Sequence, residues 1–251
     1  MKRLDGKVGL VTGGGTGTGR AIGLALAAEG CSVVVNYSRS RTEAEETAHE
    51  ICRTGVRCFA AKADVSSDAE VGDMIGRTTR ELGRLDVLVN CAGWTAFIPH
   101  RDLEALTDEV WERTLDVNLR GVFYCSRAAI PTMVKQGQGS VINIASIAGI
   151  TGSGSSIVYC ASKAGILSLT RSFAMAFAPE VQVNAVSPGG IEDTRWSIGQ
   201  EEFNEMGRLQ TPMKRIASVE DIAEVVLFLA AGRHFMTGQN LVIDGGRVIH
   251  H

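Results

Sequence analysis

Tyr159 and Lys163 are the side chains whose types and spacing most directly indicate proton chemistry. If the residues around them form a helix, the two lie on one face, one turn apart. A tyrosine has an ordinary pKa of about 10, and a neighbouring ammonium group favours the phenolate, so Lys163 is expected to lower that pKa. Such a pair also occurs by chance on many helix surfaces. The proton-transfer interpretation therefore depends on the elements that position the pair.

A glycine-rich turn joins the first predicted strand, 7–12, to the first predicted helix, 20–29. Free N–H groups and the helix dipole at such a turn attract anions, and pyrophosphate is their usual ligand. The alternative is a flexible turn without a ligand. The expected cofactor contacts are Gly13, Gly15, Thr16, Gly17, Thr18 and Gly19.

The end of the second predicted strand, 31–36, indicates which dinucleotide would bind. Sites for NAD usually place an acidic residue here, against the ribose 2′-hydroxyl. Instead Tyr37, Ser38 and Arg39 follow the strand, and the first acid is Glu43. A guanidinium and a hydroxyl suit a 2′-phosphate, although Arg39 could also be a solvated charge at a helix start. The sequence therefore favours NADP(H) over NAD(H).

Short apolar runs alternate with helical patterns along the whole chain. Further strands are predicted at 56–61, 85–90, 140–145, 181–186 and 239–243, and further helices at 42–54, 66–82, 108–135, 155–178 and 218–231. This alternation predicts an α/β fold: one domain over 1–251, with a Rossmann-type doubly wound parallel sheet of about seven strands and helices on both faces. Ligands bind such a sheet at the carboxyl ends of its strands, where Ser146 stands.

Two features leave alternatives open. Asn118 falls among apolar residues of the helix predicted over 108–135, and is either a core amide bonded to backbone or a member of a water relay. The irregular segment 190–216 predicts a substrate lid or, alternatively, a surface helix pair. The substrate-pocket candidates are Trp94, Phe97, Trp196, Phe203 and Met206.

Composition limits the kinds of partner. The 251 residues carry a net charge of −3, which gives no electrostatic surface for nucleic acid or an anionic membrane. Six cysteines lack metal-ligand spacing, so we predict free thiols, a reducing cytoplasm and no metal site. No apolar run approaches the ~20 residues of a membrane span. These features predict a soluble cytoplasmic protein that acts on a small molecule.

The chain shares motifs with a known family from its first predicted strand to its last. The motifs are Thr12-Gly13-x-x-x-Gly17-x-Gly19, Asp64, Asn90-Cys91-Ala92-Gly93, Asn118, Ser146, Tyr159-x-x-x-Lys163, Pro188-Gly189 and Asp244-Gly245-Gly246. With them the chain resembles a short-chain dehydrogenase/reductase. Stretches such as VVVNYSRS and SVINIASIAG are similar to the 3-oxoacyl-[acyl-carrier-protein] reductase-like group.

This resemblance implies a role for each of four catalytic candidates. Tyr159 would be the acid/base group, and Lys163 would lower its pKa and hold the nicotinamide ribose. Ser146 would hold the substrate oxygen against Tyr159. Asn118 would pass protons onward through water.

The resemblance also implies cofactor contacts and an assembly. Asn90 would support the sheet, and Asp64 would meet the adenine edge. Further contacts are implied for Val65, Ala92, Gly93, Pro188, Gly189, Ile191 and Thr194. The implied assembly is a homotetramer formed through the helices at 108–135 and 155–178, with a homodimer as the alternative.

We therefore expect an NADP(H)-dependent oxidoreductase that interconverts a ketone and a secondary alcohol. A carbonyl reductase is favoured, because basic residues that would dock an acidic carrier protein are scarce near the ends of the two long helices, where Lys135 is accompanied by Glu180. The alternative is a 3-oxoacyl-[acyl-carrier-protein] reductase of fatty-acid or polyketide type. A remote alternative is a non-catalytic NADP(H) sensor, although a sensor would not need the four catalytic candidates.

Overall fold

The computed structural model describes residues 2–192, 194, 197, 201–232 and 234–250, except for the side chains of 202, 203 and 250. Its parallel strands form one seven-stranded sheet in the order β3-β2-β1-β4-β5-β6-β7. The strands are β1 (Val8–Val11), β2 (Ser32–Tyr37), β3 (Cys58–Lys62), β4 (Val87–Asn90), β5 (Gly139–Ile144), β6 (Val181–Pro188) and β7 (Asn240–Ile243). The predicted doubly wound sheet is confirmed.

Helices connect the strands and cover both faces of the sheet. They are α1 (Gly17–Ala28), α2 (Arg41–Cys52), α3 (Asp68–Leu82), α4 (Asp108–Leu115), α5 (Gly121–Gln136), α6 (Ala148–Thr151), α7 (Ile157–Phe177), α8 (Glu201–Gln210) and α9 (Val219–Ala230). Successive residues of β2 show the two-sided burial. Val33 and Val35 belong to one apolar cluster and Val34 to the other, as the period of two of a strand requires.

The order of the strands reverses beside β1, which pairs with β2 on one side and β4 on the other. A reversal of this kind opens a crevice at the carboxyl ends of the strands, and ligands of doubly wound sheets bind there. The glycine turn after β1 lies at this edge, together with the turns after β4, β5 and β6. The sheet therefore places the predicted site residues together.

The helix predicted over 108–135 is not one continuous α-helix. A π-helical turn, Asp116–Arg120, separates α4 from α5, and the amide N–H of Gly121 bonds to the carbonyl of Asp116. Such turns insert one residue into a helix and recur at functional sites. The insertion coincides with a close approach, because a Cβ on Gly121 would stand 2.8 Å from Cγ2 of Val65.

Among its described residues, the segment 190–216 contains α8, and Ile191 forms a β-bridge with Ala217 just beyond the segment. Its function as a lid stays a prediction. Across the described part of the chain, no helix combines the length and apolarity that a membrane span requires.

Candidate active site

The glycine turn forms a cradle that side chains would fill. Gly13 and Gly17 have φ angles of 63° and 49°, which favour glycine. A Cβ on Gly13 would stand 3.1 Å from the Cα of Ala92, and one on Gly15 would stand 3.0 Å from the Cα of Ala44. No described side chain caps the amino end of α1 at Thr16. Its first N–H groups are therefore left without a side-chain cap, as a pyrophosphate site requires.

Two buried side chains fix the cradle to the sheet. The hydroxyl of Thr12 accepts hydrogen bonds from the N–H groups of Cys91 and Ala92, at 2.9 and 3.0 Å. Asn36 accepts from the N–H of Gly13 at 3.2 Å and donates to the carbonyl of Ala63 at 3.0 Å. The end of β1 is thus held to β4, β2 and β3 by polar groups that sheet pairing alone does not supply.

We predict that Gly19→Ala weakens cofactor binding at least tenfold, by about 1.4 kcal/mol or more. The added methyl group would overlap the carbonyl oxygen of Gly13 and lie within 2.9 Å of its carbon, so the turn must shift. Fluorescence titration with NADPH measures the change. Gly72→Ala is the control, because nothing lies within 4 Å of its Cβ position in α3. Equal affinity in both variants would contradict the cradle.

The far end of the cleft is lined by Tyr37, Ser38, Arg39 and Asp64. Asp64 accepts hydrogen bonds from the backbone N–H and hydroxyl of Ser66, at 3.0 and 2.6 Å. Burial raises the pKa of the Asp64 carboxyl, but these bonds and nearby arginines outweigh burial, so the net direction is downward. Asp64 is thus an ionised acceptor at this end of the cleft.

Asn90 does not line the cleft, and a direct contact between Asn90 and the cofactor stays a prediction. Its side chain is 2% exposed and donates to Oδ1 of Asn143 at 2.8 Å, and Asn143 donates to Thr170 at 2.9 Å. This network joins β4, β5 and α7. Asn90 therefore supports the sheet, as the resemblance implied, from within the core.

Tyr159 and Lys163 lie on the first turns of α7, which begins after the cap residue Ser156. The Ser156 hydroxyl accepts a hydrogen bond from the N–H of Tyr159 at 3.3 Å. The Nζ of Lys163 donates to the carbonyl of Ile144 at 2.8 Å and stands 5.6 Å from the ring centre of Tyr159. Ser146, just beyond β5, hydrogen-bonds the side chain of Tyr159. The three side chains form one cluster in the cleft.

Burial determines the protonation of this cluster. It raises the pKa of the Tyr159 hydroxyl, and the hydrogen bond with Ser146 offsets only part of that rise. Burial also lowers the pKa of Lys163 to about 8. This direction for Tyr159 differs from the sequence prediction, because spacing does not reveal that both side chains are more than nine-tenths buried. At neutral pH, Tyr159 is a protonated donor beside a largely charged Lys163.

Asn118 is fully buried in the π-helical turn and does not line the cleft. Its side chain accepts from the N–H of Trp94 at 2.8 Å and donates to the carbonyl of Trp94 at 2.9 Å and to the hydroxyl of Ser162 at 3.1 Å. Of the two interpretations left open, the structure supports a core amide bonded to backbone. Asn118 holds the Trp94 segment against α7, and its direct part in a relay stays a prediction.

The cleft encloses about 940 Å³. It brings together the predicted residues Gly13, Gly15, Thr16, Gly17, Thr18, Gly19, Tyr37, Ser38, Arg39, Asp64, Val65, Ala92, Gly93, Trp94, Phe97, Ser146, Tyr159, Lys163, Pro188, Gly189, Ile191 and Thr194. Met206 is half exposed and does not line it, so its place in the substrate pocket stays a prediction. Trp196 and the side chain of Phe203 lie outside the described residues.

The lining residues that sequence reasoning missed include Arg113, Asn204, Arg247 and Val248. Arg113 stands 3.7 Å from the carboxylate of Asp64. Arg247 and Val248 follow the Asp244-Gly245-Gly246 motif directly, and that position was the one available signal for them. Within the described ranges, no cluster of three His, Cys, Asp or Glu side chains is arranged to hold a metal ion.

A parallel sheet with a glycine cradle at its switch point, beside a Ser–Tyr–Lys cluster whose Tyr159 and Lys163 are buried, is typical of nucleotide-dependent oxidoreductases. The comparisons with known proteins agree. A family model described as enoyl-(acyl carrier protein) reductase matches residues 13–247. The chain belongs to the short-chain dehydrogenase/reductase family, in its 3-oxoacyl-[acyl-carrier-protein] reductase-like group.

Individual relatives cover nearly the whole chain. Ketoacyl reductase 2 of the granaticin polyketide synthase from Streptomyces violaceoruber is 42% identical over 96% of this chain and 96% of its own. The 3-oxoacyl-[acyl-carrier-protein] reductase FabG of Staphylococcus aureus is 40% identical over 96% and 97%. Among solved structures, a gluconate 5-dehydrogenase from Burkholderia cenocepacia in complex with NADP and tartrate has a TM-score of 0.89, with 31% identity over 98% and 96%.

Proposed function

We propose that this oxidoreductase uses NADP(H) to interconvert a ketone and a secondary alcohol, with Tyr159 as the proton donor and acceptor. One observation carries the proposal. The hydroxyl groups of Ser146 and Tyr159 are hydrogen-bonded to each other inside the cleft, with Lys163 held behind them by Ile144. A ketone oxygen that accepts from both hydroxyls would be polarised and placed to receive the Tyr159 proton.

The residues of the cleft fit the cofactor by chemistry and by shape. The glycine cradle and the amino end of α1 would hold the pyrophosphate, and Ser38 and Arg39 would hold the 2′-phosphate. When bound, the reduced cofactor supplies the hydride. The protein residues orient the ketone, exclude water and supply the proton. Lys163, largely charged at neutral pH, stabilises the negative charge that develops on Tyr159 as the proton leaves.

The names of the relatives favour a 3-oxoacyl thioester as the ketone. The sequence had placed a carbonyl reductase first, because carrier-docking charges were scarce. Two relatives at 40–42% identity that are named ketoacyl and 3-oxoacyl-carrier reductases reverse that order. We therefore propose a 3-oxoacyl substrate first and a freestanding ketone second. The homotetramer stays a prediction, and the complete Ser146, Tyr159 and Lys163 cluster argues against a sensor without turnover.

A paired assay tests the proposal. Purified protein is given NADPH or NADH with a 3-oxoacyl thioester, an aromatic ketone, a cyclic ketone or a sugar. We expect the thioester to be reduced fastest, with NADPH. Turnover confined to the free ketones would favour a freestanding ketone as the substrate. The absence of turnover with every substrate would refute the proposed reaction.

Cofactor preference gives a separate prediction. Arg39→Asp should raise the KM for NADPH at least tenfold and leave the KM for NADH within about threefold, because a carboxylate would repel the 2′-phosphate. Among the described residues that line the cleft, Asp64 has the one carboxylate group, and this group already accepts two hydrogen bonds from Ser66. Arg41→Asp is the control: it makes the same charge change on an exposed side chain outside the cleft. An unchanged cofactor ratio in Arg39→Asp would show that the 2′-phosphate binds elsewhere.

A further inference from the structure

Arg247 gives the cleft a positive charge that the proposed reaction does not use. It lies next to the carboxyl-terminal residues and reaches the cleft from the turn that follows β7. Asn204, on α8, lines the cleft as well. Arg247 and Asn204 thus belong to a wall that is separate from α7, which carries Tyr159.

The turn before Arg247 fixes the position of the Arg247 backbone. Gly245 and Gly246 have φ angles of 62° and 89°, which favour glycine. The carboxylate of Asp244 accepts from the N–H groups of Gly246 and Val248, at 2.9 and 2.6 Å. Asp244 is therefore occupied in closing the turn, and its two bonds hold the backbone on either side of Arg247.

The guanidinium of Arg247 is held by a neutral group. Its Nη2 donates to Oε1 of Gln210 at 2.7 Å, and its Nη1 lies 3.9 Å from the position that a Cβ on Gly207 would take. The guanidinium thus lies beside α8, in ordinary van der Waals contact with the Cβ position of Gly207. One amide oxygen satisfies one of its five N–H donors.

The acidic side chains near this wall are paired with another arginine. Arg208 lies 3.2 Å from Glu205 and 3.5 Å from Glu192. Across the part of the chain that the structure describes, Arg247 forms no ion pair of its own. The guanidinium of Arg247 is half buried, lines the cleft, is oriented by an amide and has no carboxylate partner among the described residues. Such a group is suited to bind an oxyanion through bidentate hydrogen bonds.

We propose that Arg247 is a substrate-binding residue that recognises an oxyanion on the substrate, away from the reacting ketone. The inference rests on the proposed function, since it assigns the substrate class of the same cleft. The oxyanion has two sources: the carboxylate of a small oxo acid, or the phosphate of a phosphopantetheine arm on a 3-oxoacyl thioester. Both present oxygen atoms to the same guanidinium.

Two matched pairs of ligands separate these sources. The first pair is acetoacetate and its methyl ester, which differ by one carboxylate. The second is a 3-oxoacyl phosphopantetheine thioester and the same acyl group on pantetheine, which differs from it by the phosphate alone. Dissociation constants are measured by calorimetry with saturating NADP⁺, so that no turnover is needed.

We expect the wild-type protein to bind the anionic member of at least one pair more tightly than the neutral member. Arg247→Gln should reduce this preference, the ratio of the two dissociation constants, at least tenfold. Arg247→Lys should keep part of it, because the charge stays and the planar fork is lost. Arg208→Gln, which removes a charge from α8 outside the cleft, should change it less than twofold. The pair that responds identifies the source of the oxyanion.

Two results would overturn the inference: a wild-type protein without anionic preference in either pair, or a preference that Arg247→Gln leaves within twofold. Failure of the proposed function is a different result. In that case the protein reduces no ketone, yet Arg247→Gln still weakens binding of the anionic ligand. The thermal unfolding midpoint of each variant shows whether it remains folded.

Discussion

Tyr159→Phe is expected to lower kcat for ketone reduction by about 10²–10⁴-fold, the usual contribution of a positioned general acid. The substitution removes one hydroxyl and keeps the ring that packs against Ala148 and Cys160. The fold and the cofactor cradle, formed by other elements, should be retained. Steady-state kinetics, together with an NADPH titration, separate the loss of proton transfer from a loss of binding.

Tyr124→Phe is the matched control for this change. Tyr124 lies on α5 beside Phe123, outside the cleft, so the same deletion there should leave kcat within about twofold. The role assigned to Tyr159 is wrong if Tyr159→Phe keeps more than about a tenth of the wild-type rate while it binds NADPH normally.

Lys163→Met is expected to lower kcat by at least about 10²-fold and to change its dependence on pH. Burial lowers the pKa of Lys163 to about 8, so its charged form predominates below that pH and is lost above it. Tyr159 keeps its proton over the same range, because burial raises its pKa. Wild-type reduction should therefore be level below about pH 8 and fall about tenfold per unit above it.

The fall in rate above about pH 8, here called the falling limb, results from loss of the charge on the Lys163 ammonium group. It should be absent from the residual activity of Lys163→Met, because no charge is left to titrate. Lys62→Met, at an exposed position outside the cleft, should keep both the rate and the limb. A wild-type profile that stays level to pH 10, or a falling limb that persists in Lys163→Met, would contradict the role assigned to the charge on Lys163.

Local patterns in the sequence predicted those parts of the site that depend on one or two elements. The glycine turn stands between a strand and a helix, so its position follows from chain order. Tyr159 and Lys163 share a face because α7 is regular and begins directly after its cap residue, Ser156. Ser146 lies beyond a buried strand, and parallel strands place their carboxyl ends at one edge.

Properties that depend on distant contacts could not be predicted in this way. An apolar pattern over 108–135 does not distinguish an α-helix from one with an inserted residue, and the π-helical turn coincides with bonds between Asn118 and the backbone of Trp94. The pKa of Tyr159 depends on its burial, which spacing does not record. Arg247 meets Gln210 thirty-seven positions away. Met206 is an apolar side chain of the kind that lines substrate pockets, but it is half exposed.

The most direct test of the central claim compares two substrates and two proteins. The 3-oxoacyl and 2-enoyl N-acetylcysteamine thioesters of one chain length are each incubated with NADPH and wild-type protein or Tyr159→Phe, and the products are identified by mass spectrometry. We predict that the wild-type protein converts the 3-oxoacyl thioester to the 3-hydroxy product, consumes one NADPH per product and leaves the enoyl thioester unchanged, and that Tyr159→Phe forms almost no product. Reduction of the enoyl thioester with the 3-oxoacyl thioester untouched, or equal product from the two proteins, would contradict the account.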